Sequence, residues 1–263
     1  MCISTAPAEL NSTKIGFVAD FTTKLHHLFY ANSVQNLSDG PNAMILPIPG
    51  VIQKIHDTTD FGNFMEDIAR HFAPVYRGTK LGTGISKGVS IVEVGAYTVL
   101  SCDSIDPEAI AKALQLVPEN KRPTISADLL NWYRDFYGSK ANLAICCFDS
   151  KQLTKAQPIW IEYKPKDFEM GFMPGADSHD GTPPRMGVLV DRDHQLFFGM
   201  VIDDFSKNVH FSQSVPAVIN NAQWIKFNNI GSVGKNCDWI IVPHEEISGN
   251  VSLLQITENK AFA

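Results

Sequence analysis

The chain has 263 residues, enough for one large domain or two small ones with a sizeable core. Its 44% hydrophobic and 19% charged content excludes wholesale disorder. The 22 basic against 28 acidic side chains, net −6, form no basic cluster that would track a nucleic-acid backbone, and no apolar run approaches the roughly 20 residues of a membrane helix.

The N-terminal part reads as strands. Residues 14–21 and 25–34 alternate in period two, and Thr22-Thr23-Lys24 is short enough for a hairpin loop. The apolar run 43–46 suits a buried strand, which Pro47, Pro49 and Gly50 are expected to end. Helical spacing follows over 61–72, with Phe61, Phe64, Met65, Ile68 and Phe72 on one face. A glycine-rich stretch, 78–88, precedes a strand over 89–100. Asp106-Pro107-Glu108 starts a helix to about residue 117, and Ser126 opens another to 138, where Gly138 stops it. Strands return at 142–148 and 158–163, and from 186 onward at 186–190, 195–202, 224–227, 239–242 and 251–256. The pattern predicts an α+β fold, a single β-rich domain spanning 1–263 with a few helices clustered in the middle third.

Several stretches carry a resemblance. Met1-Cys2-Ile3-Ser4, Ala43-Met44-Ile45-Leu46-Pro47-Ile48-Pro49, Val94-Gly95-Ala96-Tyr97, Ser178-His179-Asp180-Gly181 and Val190-Asp191-Arg192-Asp193-His194 resemble motifs of a group of uncharacterised bacterial proteins. An exported bacterial domain family is distantly similar through the Pro-Ile-Pro and Val-Gly-Ala-Tyr segments. These resemblances imply no reaction.

Two constellations bear on chemistry. Removal of Met1 would leave Cys2 with a free amine and a thiol, the arrangement of N-terminal nucleophile hydrolases, in which the α-amine serves as base. Asp20 stands where the cysteine members of that superfamily are similar in having a carboxylate, but Phe17, Val18 and Ala19 occupy the place of their usual arginine. The expected activity is hydrolysis of an amide C–N bond of a small molecule or peptide, with Cys2 as nucleophile, Asp20 orienting the amine, and His179 or His194 lining the pocket. The structural alternative makes Cys2 an ordinary small residue at a chain end.

The second constellation is His179, Asp180, Asp191, Asp193 and His194, which suits an acid/base pair or a divalent metal, the latter through His179, Asp180, Asp193 and His194, although the spacing matches no standard zinc signature. Aspartates also recur in turns because they nucleate them. No organic cofactor is expected: 82–88 lacks the ending of a P-loop. The five cysteines, irregularly spaced with Cys146 beside Cys147, predict reduced thiols, and with no secretory signal legible at the start they predict a cytoplasmic protein. His26 and His27 alternate in facing and are not expected to share a metal. A non-catalytic alternative is a protein that self-associates into a homo-oligomer through strand edges, with no nucleic-acid or membrane partner. A metal-binding protein using the His/Asp segments is the remaining alternative.

Overall fold

The computed structural model describes residues 3–73, 91–138, 141–191, 193–201, 208–227, 233–243 and 251–257. In chain order the elements are β1 (Ile3–Ser4), β2 (Ala8–Asp20), β3 (Leu25–Asn36), β4 (Asn42–Ile48), β5 (Gly50–His56), α1 (Phe64–His71), β6 (Ile91–Val94), β7 (Tyr97–Cys102), α2 (Pro107–Leu114), α3 (Ala127–Tyr137), β8 (Asn142–Phe148), β9 (Thr154–Lys155) and β10 (Ile159–Pro165). They continue with β11 (Gly171–Met173), β12 (Leu189–Asp191), β13 (Gln195–Val201), α4 (Ala217–Asn220), β14 (Gln223–Lys226), β15 (Val233–Lys235), β16 (Asp238–Pro243) and β17 (Val251–Ile256). The chain is therefore β-rich α+β, as its sequence predicts.

Two sheets face each other. One has the order β1-β4-β8-β7-β6, and the other β14-β13-β2-β3-β10-β5 with β9 attached to β3. Leu28, Tyr30, Ile159 and Ile161 of the larger sheet pack against Met44, Leu46, Tyr97 and Cys146 of the smaller. The outer face of the smaller sheet is covered by α2 and α3, where Tyr133 and Tyr137 meet Ile45 and Ile145. The outer face of the larger sheet is covered by α1 and by Val209 and Ile219. β4 and β8 are thus buried on both faces, which explains why they read as continuous apolar runs without alternation.

Helix starts follow local chemistry. The Asp106 carboxylate accepts the Ala109 N–H at 2.8 Å with Pro107 in the first turn, and Ser126 Oγ accepts the Leu129 N–H at 3.2 Å. Three expectations need correction. Pro47 does not end its strand: β4 runs to Ile48 and pairs with β8 at Pro47↔Leu143. Proline is tolerated there because β1 pairs only with Met44 and Ile45, leaving that end of β4 an edge. The expected strand over 89–100 is a hairpin, β6–β7, that turns at Gly95 with φ +58. The first helix begins at Phe64 because Gly62, at φ +58, separates it from a 3-10 turn over Thr59–Phe61. The glycine-rich 78–88 stretch lies outside the described residues. Among the described residues, no helix is long and apolar enough to cross a membrane.

Two small sheets complete the fold. β11-β16-β17 extends the core through Met173, Trp239 and Ile241, and β12 pairs with β15 as a two-stranded ribbon. The loop between β11 and β12 carries the 177–180 segment to the chain's start.

Candidate functional site

That loop is held from beneath. Asp238 at the start of β16 is fully buried, and its carboxylate accepts the N–H groups of Gly175 and Ala176 at 2.5 and 2.8 Å and the Tyr137 hydroxyl at 2.7 Å. Burial pushes its carboxyl up to about 6 against the pull of those donors. Asn236 continues the clamp: its Oδ1 accepts the Asp177 N–H at 2.7 Å and its amide donates to the Asp177 carbonyl at 2.8 Å. The backbone that presents Asp177 and His179 is thereby fixed by side chains some sixty positions later.

His179 Nε2 lies 2.8 Å from Asp177 Oδ1. Burial would raise the Asp177 carboxyl, but the His179 hydrogen bond, the largest of several opposing influences that include the His179 and His194 charges, brings it down to about 2. An ionised carboxylate against one ring nitrogen sets the tautomer and orientation of an imidazole, the relation used by His–Asp general bases. The pair opens on a groove of about 540 Å³ beside the start of β2, lined also by Glu9, Asp191, Asp193 and His194.

The sequence-nominated residues fall into different places. His179, Asp193 and His194 converge on this groove. Asp180 does not line it: its Oδ1 accepts from the Thr182 N–H at 2.9 Å, the Thr182 hydroxyl at 2.6 Å and the Ser178 hydroxyl at 3.0 Å, so it nucleates a turn. The Thr182 and Ser178 hydrogen bonds hold its carboxyl below the ordinary range. Asp193 receives the Ser12 N–H and, at 3.4 Å, the Thr13 N–H. It steadies the irregularity in β2 between Asn11 and Lys14, where Ser12 has φ 55. Among the described residues, no group of three or more His, Cys, Asp or Glu is arranged to hold a metal ion.

Asp20 is not brought to the histidines. It sits at the far end of β2, roughly 35–40 Å of extended strand from Ala8 at about 3.3 Å per residue. Its Oδ1 accepts the Thr22 and Thr23 N–H groups at 2.9 and 3.1 Å, closing the β2–β3 turn. Cys2 lies outside the described residues. Its successor Ile3 is buried and bridges Ser178, and the Ser4 N–H donates to the Ser178 carbonyl at 2.9 Å. The remaining cysteines, Cys102, Cys146, Cys147 and Cys237, are unbridged and buried, with burial pushing the thiols of Cys102 and Cys147 up to about 11 and 12. They pack as small hydrophobes.

Sequence reasoning missed Asp177 and the clamp from Asn236 and Asp238. The Asp-Ser-His spacing at 177–179 was the available signal. The clamp carries none, because its two halves are far apart in sequence.

No family model matches the chain and no curated protein matches it. Solved structures of baculovirus P35 are similar at low level. Its crystal structure has a TM-score of 0.47 at 14% identity, covering 97% of this chain and 88% of that one. A mutated baculovirus P35 after caspase cleavage gives 0.42 at 13% identity over 93% and 87% of the two chains in its 2.7 Å structure. The 3.1 Å structure of such a cleaved protein gives 0.44 at 13% identity over 95% and 93%. Likeness of this degree says nothing of activity.

Proposed function

We propose that this chain works by non-catalytic association, in the first instance with further copies of itself. The carrying observation is the outer face of the β12–β15 ribbon. Register places Leu189 opposite Lys235 and Asp191 opposite Val233, so these four side chains share one face. All four are exposed, Leu189 at 72% and Val233 at 56%. A two-stranded ribbon that turns its apolar side chains to water is marginal by itself, and a partner laid on this face would cover both of them. The edge of the larger sheet is a poorer contact than its position suggests. β5 shifts register against β10 between Glu162 and Tyr163, carries Lys54, and has its Val51 carbonyl taken by the Gln53 side chain at 3.1 Å, devices that blunt an edge.

Sedimentation velocity over about 1–100 μM tests this, the range expected of a small interface. The expected result is a monomer–dimer equilibrium that Leu189→Ser shifts to monomer with the fold intact. A wild-type protein monomeric throughout overturns the reading.

A second reading, amide hydrolysis, is supported by the anchoring of β1 beside the Asp177–His179 pair. After Met1 removal, the Cys2 thiolate would attack the substrate carbonyl carbon while His179 or the Cys2 amine takes the thiol proton. The C–N bond breaks, the amine leaves with that proton, and water then hydrolyses the thioester. This reading expects loss of Met1 and faster alkylation of Cys2 than of Cys102 or Cys237 near neutral pH, slowed about tenfold in His179→Gln. Retention of Met1, seen by intact mass, would exclude it.

A further inference from the structure

The four side chains on the ribbon's outer face form a pattern that is complementary to itself. Leu189 and Val233 occupy one diagonal of the square, and Asp191 and Lys235 the other. Diagonal neighbours on an antiparallel pair are about 7–8 Å apart, close enough for Leu189 and Val233 to make one apolar ridge. A two-fold axis laid along that ridge carries each apolar residue onto its own copy. The same operation carries Lys235 onto Asp191 and Asp191 onto Lys235. Axes along or across the strands do neither, since they set leucine on a charged side chain. An axis along the charged diagonal sets Asp191 on Asp191.

We propose that two copies meet ribbon face to ribbon face about this diagonal axis, with strands crossing near right angles and Lys235 of each copy paired with the partner's Asp191. The inference rests on the self-association reading and adds its geometry. Charge around the contact agrees with it. Asp191 also lines the groove that holds Glu9 and Asp193, so Lys235 of the second copy enters an acidic surround. An interface of this type is isologous and closes at two copies. The ribbon face is small beside the roughly 800 Å² that each partner buries in a stable complex, so the expected dimer is weak, with the groove rim adding area.

The test is charge exchange. Asp191→Lys and Lys235→Asp change exposed side chains, and circular dichroism with thermal melting verifies that each variant folds. Each variant alone sets like charges together twice and is expected to self-associate about tenfold or more weakly than wild type. An equimolar mixture, in which every pair is again opposite in sign, is expected to associate within about threefold of wild type, as is the double variant carrying both changes in one chain. If wild type does not associate at all, the underlying reading fails. If wild type associates but neither the mixture nor the double variant recovers, the diagonal pairing is wrong and another surface makes the contact.

Discussion

Asp238 shows how one buried carboxylate organises a site it does not touch. It receives three donors from two segments, and removing its oxygens leaves the Gly175 and Ala176 N–H groups and the Tyr137 hydroxyl without that acceptor. Asp238→Ala is therefore expected to cost about 3 kcal/mol or more at pH 7, and to loosen the 175–179 loop. Asp238→Asn keeps an acceptor for the two amides and is never charged. The sign of the pH effect follows from a folded-state value of about 6, raised mainly by burial above the ordinary carboxylate value. Between about pH 4 and 6 the folded protein holds a proton that the unfolded chain has lost, so Asp238's contribution to stability declines as pH rises through that window. The Asn variant lacks this decline. Urea midpoints at pH 4.5 and 7 should show the variant gaining on wild type at the higher pH; equal differences at the two would mean that Asp238 does not titrate there.

At the element scale, β3 carries two buried histidines to opposite faces. His26 lies among Phe17, Tyr163 and Phe168 with its Nε2 3.0 Å from the Phe168 carbonyl. His27 Nδ1 accepts the Trp160 indole N–H at 3.2 Å. Desolvation is the main cause that holds both imidazoles down at about 4. For such groups the unfolded chain binds protons first as pH falls, so the stability they contribute is complete above about 6.5 and is lost as pH falls through 4. This opposes the Asp238 effect and involves two groups, so acid should win: a net loss on the order of 1–3 kcal/mol is expected between pH 7 and 4.5. His26→Gln keeps a donor for the Phe168 carbonyl while removing one titration, and its stability should fall less steeply over the same range. An unchanged slope in urea titrations would place the acid sensitivity elsewhere.

The same strand marks what a sequence makes legible. The alternation of 25–34, the Asp106 and Ser126 helix starts and the apolar run of β8 are local signals, and each appears in the structure close to where it is expected. β5 and β15 escaped because their pairing is set by distant partners. Pro47 misled because proline's missing N–H matters only where a neighbour needs it, and which side of β4 is paired depends on β1. The candidate site divides in the same way. His179, Asp193 and His194 line one groove, whereas the Asp180 and Asp20 carboxylates accept the backbone amides of turns. Composition cannot distinguish an aspartate that binds backbone amides from one that faces a groove.

For the whole molecule, the question is whether the sheets unfold together. The residues between the two large sheets include Met173, Cys237, Trp239 and Ile241 from the last part of the chain, packed in one cluster with Phe17 from β2 and Tyr97 from β7. β2 also pairs in parallel with β13 over seven register positions, from Gln195↔Lys14 to Val201↔Asp20, joining residues nearly two hundred positions apart. Neither large sheet can lose its partner without exposing a shared core face, so intermediates that keep one sheet are disfavoured. A single calorimetric transition is expected, with a van't Hoff enthalpy matching the calorimetric one at low concentration. If the chain self-associates as proposed, the partner stabilises only the folded state, and the midpoint should rise with protein concentration for wild type and hold constant for Leu189→Ser. Two resolved transitions at low concentration would divide the chain into independent units and break the link between the C-terminal clamp and the groove it supports.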